Sequence, residues 1–173
     1  VDETILYPNH TGQALNGLIL AVEPNLPRYG SNSFTLHSLG FNGVSINNYT
    51  LDGHKLTFAL PGILQPESIA TIALQYDLKL PLLQQAHGVR PQIFGYSQLQ
   101  MNLTDWYPFI VPFINGNWVL HDDWYYGEHL VYDAADFKVN SQIRPVRRLW
   151  LPAARRVKTV NGQRMCSSLA ALS

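Results

Sequence analysis

Residues 72–81 read IALQYDLKLP. Ile72, Leu74, Tyr76, Leu78 and Leu80 alternate with Ala73, Gln75, Asp77 and Lys79, and Pro81 closes the run. A period of two puts the apolar set on one face of an extended chain, as in a strand with one face in a core and the other in water. Proline cannot donate to a ladder, so it marks the end. The pattern recurs upstream. Leu56, Phe58 and Leu60 alternate with Lys55, Thr57 and Ala59; Phe34 and Leu36 alternate with Thr35 and His37. Residues 18–22 are apolar throughout and are stopped by Pro24, which fits a strand buried on both faces. Asp52-Gly53 between the runs 49–51 and 55–60 predicts a hairpin. Asn16-Gly17 and Asn42-Gly43 predict further turns. No helical stripe is evident before residue 140. Short strands spaced by about ten residues predict an all-β fold, an antiparallel β-sandwich or saddle-like sheet.

Residues 94–137 are rich in aromatics and hold three of the four Trp. Apolar runs at 106–114 and 118–120 flank the Asn115-Gly116 turn, and a polar loop beginning at His121 follows. Aromatic side chains bury a large area, and their polar tips need partners. This stretch is expected to be either the packing centre of the β domain or one wall of a site.

At 173 residues the chain is expected to form one domain with a small appendage. A chain of this length buries roughly 70% of its unfolded surface, enough for a core without disulfides. The single Cys166 excludes an intrachain disulfide and a cysteine zinc cluster. No apolar run reaches about 18 residues, so no membrane span is expected. The chain opens on Val1-Asp2-Glu3 with no signal-peptide pattern, which fits a fragment or a processed form. An upstream signal would make it secreted or cell-envelope associated; the sequence leaves the compartment open.

The balanced net charge conceals an asymmetry. Residues 1–140 carry all 12 acidic residues and five basic ones, a net of −7, whereas residues 141–173 carry seven basic residues and no acidic one, a net of +7. The expectation is a β domain over 1–140 and an irregular basic tail over 141–173. The body offers no basic face and the tail no recognised motif, so no nucleic-acid partner is expected.

His121, Asp122, Asp123, Glu128, His129, Asp133 and Asp136 supply the donor types of a metal site. Their spacing matches no ligand pattern: His121 and His129 are eight apart, and His-Glu-x-x-His is absent. The expectation is a solvated loop whose acids accept bonds from backbone amides, with no metal in this chain. Gly95-Tyr96-Ser97-Gln98-Leu99 lacks the second glycine of a nucleophile elbow, and Cys166 has no base beside it. Asn9, Asn48 and Asn102 each begin a glycosylation sequon.

The order of several short motifs resembles the N-terminal domain of aminopeptidase N-type zinc metallopeptidases (gluzincins), in their short bacterial form. The resemblance begins with Tyr7-Pro8-Asn9-His10-Thr11-Gly12, residues 18–22 and Glu23-Pro24-Asn25-Leu26-Pro27. It continues through Leu60-Pro61, Leu64-Gln65-Pro66 and the 69–80 strand ending in Leu80-Pro81, with Glu67 where the family often has glycine. Phe94-Gly95-Tyr96, Asn102-Leu103, Asp105-Trp106-Tyr107-Pro108, Trp118 and residues 132–139 complete it, so that it covers roughly residues 5–140.

The resemblance implies a saddle of antiparallel strands packed on a thermolysin-like catalytic domain of the same protein. It places the zinc and its ligands in that domain, and assigns this chain no catalytic residue. It further implies that a Gln or Glu about nine residues before a proline helps hold the free amino end of a peptide substrate. Gln98 and Gln100 lie ten and eight residues before Pro108, so either can correspond. The alternative is a carbohydrate-binding β-sandwich module that stacks sugars on Trp106, Trp118 and Trp124. A third reading is a stand-alone metal-dependent hydrolase using the 121–136 cluster. Beyond residue 140 the resemblance stops where the acidic residues stop. A shift of reading frame near Arg147 can recover a family-like strand, so residues 141–173 are expected to pack poorly if they are its product.

Overall fold

A computed structural model describes residues 1–30, 32–83, 93–98, 100–121 and 134–140. The tail from 141 onward lies outside the described residues, as do Asp122, Asp123, Trp124, Glu128, His129 and Asp133. The described residues fall in two compact units, 1–121 in the first and 134–140 in the second. Residues 134–140, including Asp136, are exposed and carry no regular secondary structure. The first unit is all-β and antiparallel, as the alternation predicts.

Its strands in chain order are β1 (Asp2–Pro8), β2 (Leu15–Ala21), β3 (Phe34–Phe41), β4 (Val44–Ser45), β5 (Tyr49–Asp52), β6 (Lys55–Leu64), β7 (Ile69–Leu78), β8 (Phe94–Tyr96), β9 (Met101–Leu103), β10 (Phe109–Ile110), β11 (Phe113–Ile114) and β12 (Asn117–Trp118). One four-stranded sheet has the order β1-β7-β3-β4, the other β10-β2-β6-β5; β8-β9 and β11-β12 are two-stranded ribbons. Among the described residues no helix is long and apolar enough to cross a membrane.

β7 is paired on both sides, with β1 from Asp2↔Gln75 to Pro8↔Ile69 and with β3 from Phe34↔Leu78 to Phe41↔Ile72. Ala70, Ile72, Leu74 and Tyr76 are buried, and their alternates are exposed or half-buried. They meet Leu18, Leu20 and Val22 of the β2 segment and Leu56, Phe58 and Leu64 of β6 in one core between the two sheets. A fully buried Leu or Phe contributes about 1.5–3 kcal/mol, so this shared core is the main source of stability.

One local expectation needs correction, and two others are refined by the partner strands. In β3, Phe34 and Leu36 begin in register, but the ladder shifts between Leu36 and Ser38, and Leu39 and Phe41 then take the core face. One inserted residue reverses the side-chain parity, which simple alternation cannot show. Asn16-Gly17 is not a turn: both residues lie inside β2, where the ladder to β6 is irregular between Leu15 and Gly17. Pairing with β6 overrides the local preference. Asn42-Gly43 and Asn115-Gly116 do turn, each with both residues in the left-handed region that a tight hairpin demands.

The second refinement concerns the aromatic stretch, whose described residues 107–120 gather beside the main core, over the outer face of β2. Ile19 and Ala21 turn away from the main core, and Tyr107, Phe109, Val111, Trp118 and Leu120 cover that outer side of β2. The apolar run at 18–22 is therefore buried on both faces, as its composition predicts.

Asn9 and Glu3 bring polar groups into this apolar framework. Asn9 is fully buried. Its Nδ2 donates to the carbonyls of Gln13 at 2.8 Å and of Leu64 and Gln65 at 3.1 Å, and its Oδ1 accepts from Thr11 N at 3.2 Å and Thr11 Oγ1 at 2.6 Å. The Asn9 sequon is thus a structural clamp, and its amide is closed to a glycan in the folded chain. Glu3 faces inward from β1 with Ile5 and Tyr7. Burial pushes its carboxyl up from 4.5 to about 8, and the nearby Tyr76 hydroxyl opposes that only in part. Glu3 Oε2 and Tyr76 Oη make no aligned hydrogen bond. Burial, then the Glu3 charge, likewise raises the Tyr76 phenol.

Candidate functional site

Beyond β2, Val22 leads into a short 3-10 turn at Glu23–Asn25, and a second follows at Pro27–Tyr29. Prolines near the start of each turn fit because the first N–H groups of a turn have no internal partner. Leu26 N donates to Glu23 O at 3.0 Å and Tyr29 N to Leu26 O at 3.0 Å. The turns carry Glu23 into the interior and Arg28 to the surface.

The β5–β6 hairpin meets this segment at its tip. Asp52 pairs with Lys55, so the two-residue loop is Gly53-His54, one residue later than Asp52-Gly53 suggests. Val22 N donates to His54 O at 2.7 Å, and Asn25 Nδ2 donates to Gly53 O. These bonds fix the tip beside Glu23. His121 arrives from a segment much later in the chain, just past β12. Val119 N donates to Pro112 O at 2.8 Å, and Leu120 packs with the cluster behind β2.

Glu23, His54 and His121 thereby converge, with one candidate ligand atom from each within 4.8 Å of the others. The side chain of Glu23 is 4% exposed and that of His121 10%. His121 Nε2 lies 3.1 Å from Glu23 Oε1, an ion-pair distance. The contact is not aligned as a hydrogen bond, and Oε1 has no hydrogen-bond partner. His54 Nε2 donates to the His121 carbonyl at 3.1 Å, and the two rings stand 5.2 Å apart. Arg28 Nη2 approaches Glu23 Oε2 at 3.9 Å. The same guanidinium lies 5.1 Å from the Tyr29 ring centroid. Burial raises the Tyr29 phenol, against the pull of Arg28.

Tyr29 links this cluster to the second candidate element. Its ring meets Phe94 edge-on at 4.9 Å. Phe94 anchors the β8–β9 ribbon, whose strands pair from Phe94↔Leu103 to Tyr96↔Met101. Gly95 lies under residues 81–83: a Cβ there would come within 2.6 Å of Pro81 O and of Leu83 Cδ2. Only glycine allows that approach, at a φ of 140°. At the ribbon's loop, Ser97 N donates to Gln100 O at 2.7 Å and Gln100 N to Ser97 Oγ at 3.1 Å. Gln98 and Gln100 are both exposed there, on a tethered loop and open to a partner.

The other candidates fare differently. Trp106 and Trp118 are half-buried. Trp118 meets Phe113 edge-on at 4.9 Å, and Trp106 meets Tyr107 at 5.9 Å, so both rings are engaged in packing. Of the acidic and histidine residues over 121–136, His121 is partnered with residues far from it in sequence. Sequence reading missed Glu23 and His54 because the three ligands lie on separate segments with no spacing signature. The signal available was an acidic residue between two apolar, proline-bounded runs, where burial without a partner is costly.

Fold and cluster together define an antiparallel β-sandwich domain with a Glu–His–His group, its carboxylate buried and its two imidazoles half-buried, at one hairpin tip. No protein-family model, curated protein or solved structure matches the chain.

Proposed function

We propose that this chain is the non-catalytic N-terminal β domain of a zinc-dependent, aminopeptidase-like metallopeptidase. In this reading it packs on a thermolysin-like catalytic domain and closes one wall of the substrate cleft. The observation that carries the reading is the ordered set of motifs over roughly residues 5–140, which an antiparallel β-sandwich accommodates as strands, clamps and turns. Asn9, Thr11, Gly95 and Phe94, all within those motifs, hold backbone segments together rather than supply chemistry. The chain has no His-Glu-x-x-His, so zinc and peptide hydrolysis belong to the catalytic domain.

Gln98 or Gln100 is the residue offered to the substrate. A side-chain carbonyl oxygen at the cleft accepts a hydrogen bond from the substrate's ammonium group, worth roughly 1.5–3 kcal/mol. In the complete enzyme, Gln98→Ala or Gln100→Ala is expected to lower kcat/KM for free-amine peptides about ten- to a hundredfold. N-acetylated peptides serve as the control, since they lack the ammonium. Unchanged kinetics in both variants removes these residues from the cleft. The absence of a His-Glu-x-x-His segment in the complete protein overturns the whole reading.

A further inference from the structure

We infer that Glu23, His54 and His121 form a site for a divalent transition-metal ion of the zinc type, within the β domain itself. This goes beyond the zinc of the proposed catalytic domain and revises the sequence-based expectation of a chain without metal ligands.

Four observations carry the inference. First, the donor set is two imidazoles and one carboxylate, which suits zinc, cobalt, nickel or copper rather than calcium or magnesium. Second, the spacing fits. A tetrahedral ion with bonds of about 2.0–2.1 Å holds its ligand atoms about 3.3 Å apart. His121 Nε2 and Glu23 Oε1 are 3.1 Å apart, and no ligand atom lies more than 4.8 Å from the others.

Third, Glu23 is almost wholly buried, and its Oε1 has no hydrogen-bond partner. A buried carboxylate oxygen without a donor is costly, and a cation placed between Oε1 and His121 Nε2 removes that cost. Fourth, His54 already has the outer contact that metal-binding histidines make. Its Nε2–H donates to a backbone carbonyl, which fixes the tautomer and leaves the Nδ1 lone pair for a ligand bond. Arg28, 3.9 Å from Oε2, attracts the other carboxylate oxygen across that gap and favours one-oxygen coordination by Oε1. Water takes the fourth position.

The ion would tie together the end of β2, the β5–β6 tip and the segment after β12. Residues 54 and 121 are 67 apart in sequence, so the gain is chiefly in folding free energy.

The purified chain, stripped with chelator, is titrated with Co2+ followed by visible absorption, and with Zn2+ followed by calorimetry and thermal unfolding. One site per chain is expected, with the d–d bands of low-coordinate cobalt and a Tm that rises with Zn2+. Glu23→Gln, His54→Gln and His121→Gln should each weaken binding at least about a hundredfold and abolish the Zn2+-dependent rise in Tm. Glu23→Gln is close to isosteric, so it keeps the test decisive if a histidine variant fails to fold. Absence of one-to-one binding overturns the inference, leaving the histidine–carboxylate contact as the cluster's role. Binding that persists unchanged in all three variants also overturns it, by assigning the metal to the other histidines and acids or to Cys166. Peptidase activity plays no part in the readout, so failure here is separable from failure of the proposed function.

Discussion

Replacing Glu3 by Gln tests the energetics of the sandwich where the structure makes a definite statement about pH. The Glu3 carboxyl is pushed from 4.5 to about 8 by burial. Between those values the unfolded chain has released the proton and the folded chain retains it. The unfolded state therefore binds fewer protons, and stability falls as pH rises. The contribution is fully present below about pH 4.5 and is lost as pH rises through about 8. The slope is about 1.4 kcal/mol per pH unit at most, which gives about 4–5 kcal/mol over the window. Glu3 keeps some contact with water, and screening reduces this to about 3 kcal/mol. In a domain of this size that corresponds to a Tm change of about 6–12 °C. The assay is urea unfolding of wild type and Glu3→Gln at pH 5 and pH 8. Groups common to both proteins cancel when the quantity read is the difference between their pH dependences. Glu3→Gln should flatten the profile by about 3 kcal/mol and be the more stable protein at pH 8. Parallel profiles would refute the argument, because the carboxyl would then not be the group that titrates.

Asn9→Asp should cost more than about 3 kcal/mol near neutral pH, since it turns a carboxylate toward the Gln13, Leu64 and Gln65 carbonyls. Urea unfolding measures it, and a loss under about 1 kcal/mol would show that the clamp is dispensable. Gly95→Ala should destabilise the attachment of residues 81–83 to the β8–β9 ribbon, because Pro81 O stands 2.6 Å from the new Cβ. Amide exchange at Leu83 and Tyr96, whose backbone bonds join the two segments, should rise at least about tenfold while that of β7 is unchanged.

What the sequence disclosed follows from how local each signal is. The 72–76 alternation, the turns at Asn42-Gly43 and Asn115-Gly116 and the doubly buried run at 18–22 depend on neighbouring residues, and all appear in the structure. The bulge after Leu36 and the absorption of Asn16-Gly17 into β2 depend on partner strands, which a single stretch does not name. The Glu–His–His group was the least legible. The hairpin at Asp52-Gly53 was apparent, but His54 becomes a site residue only because the loop falls one position later and faces Val22 and His121. His121 was singled out for the company of its sequence neighbours, whereas its described partners come from residues 23 and 54.

The strand order of the first sheet sets a timetable for synthesis. β1 leaves the ribosome well before β7, its partner along the whole of its length, which ends at Leu78. At about 5–20 residues per second, β1 waits roughly 4–14 s before it can pair. For that interval Ile5, Leu6 and Tyr7 belong to an unpaired apolar strand within reach of other nascent chains. The charged residues Asp2 and Glu3 occupy one end of it and Pro8, followed by the Asn9 clamp, the other. Both flanks disfavour edge-to-edge association, so the composition of β1 suits a strand that must remain unpaired until its partner is made.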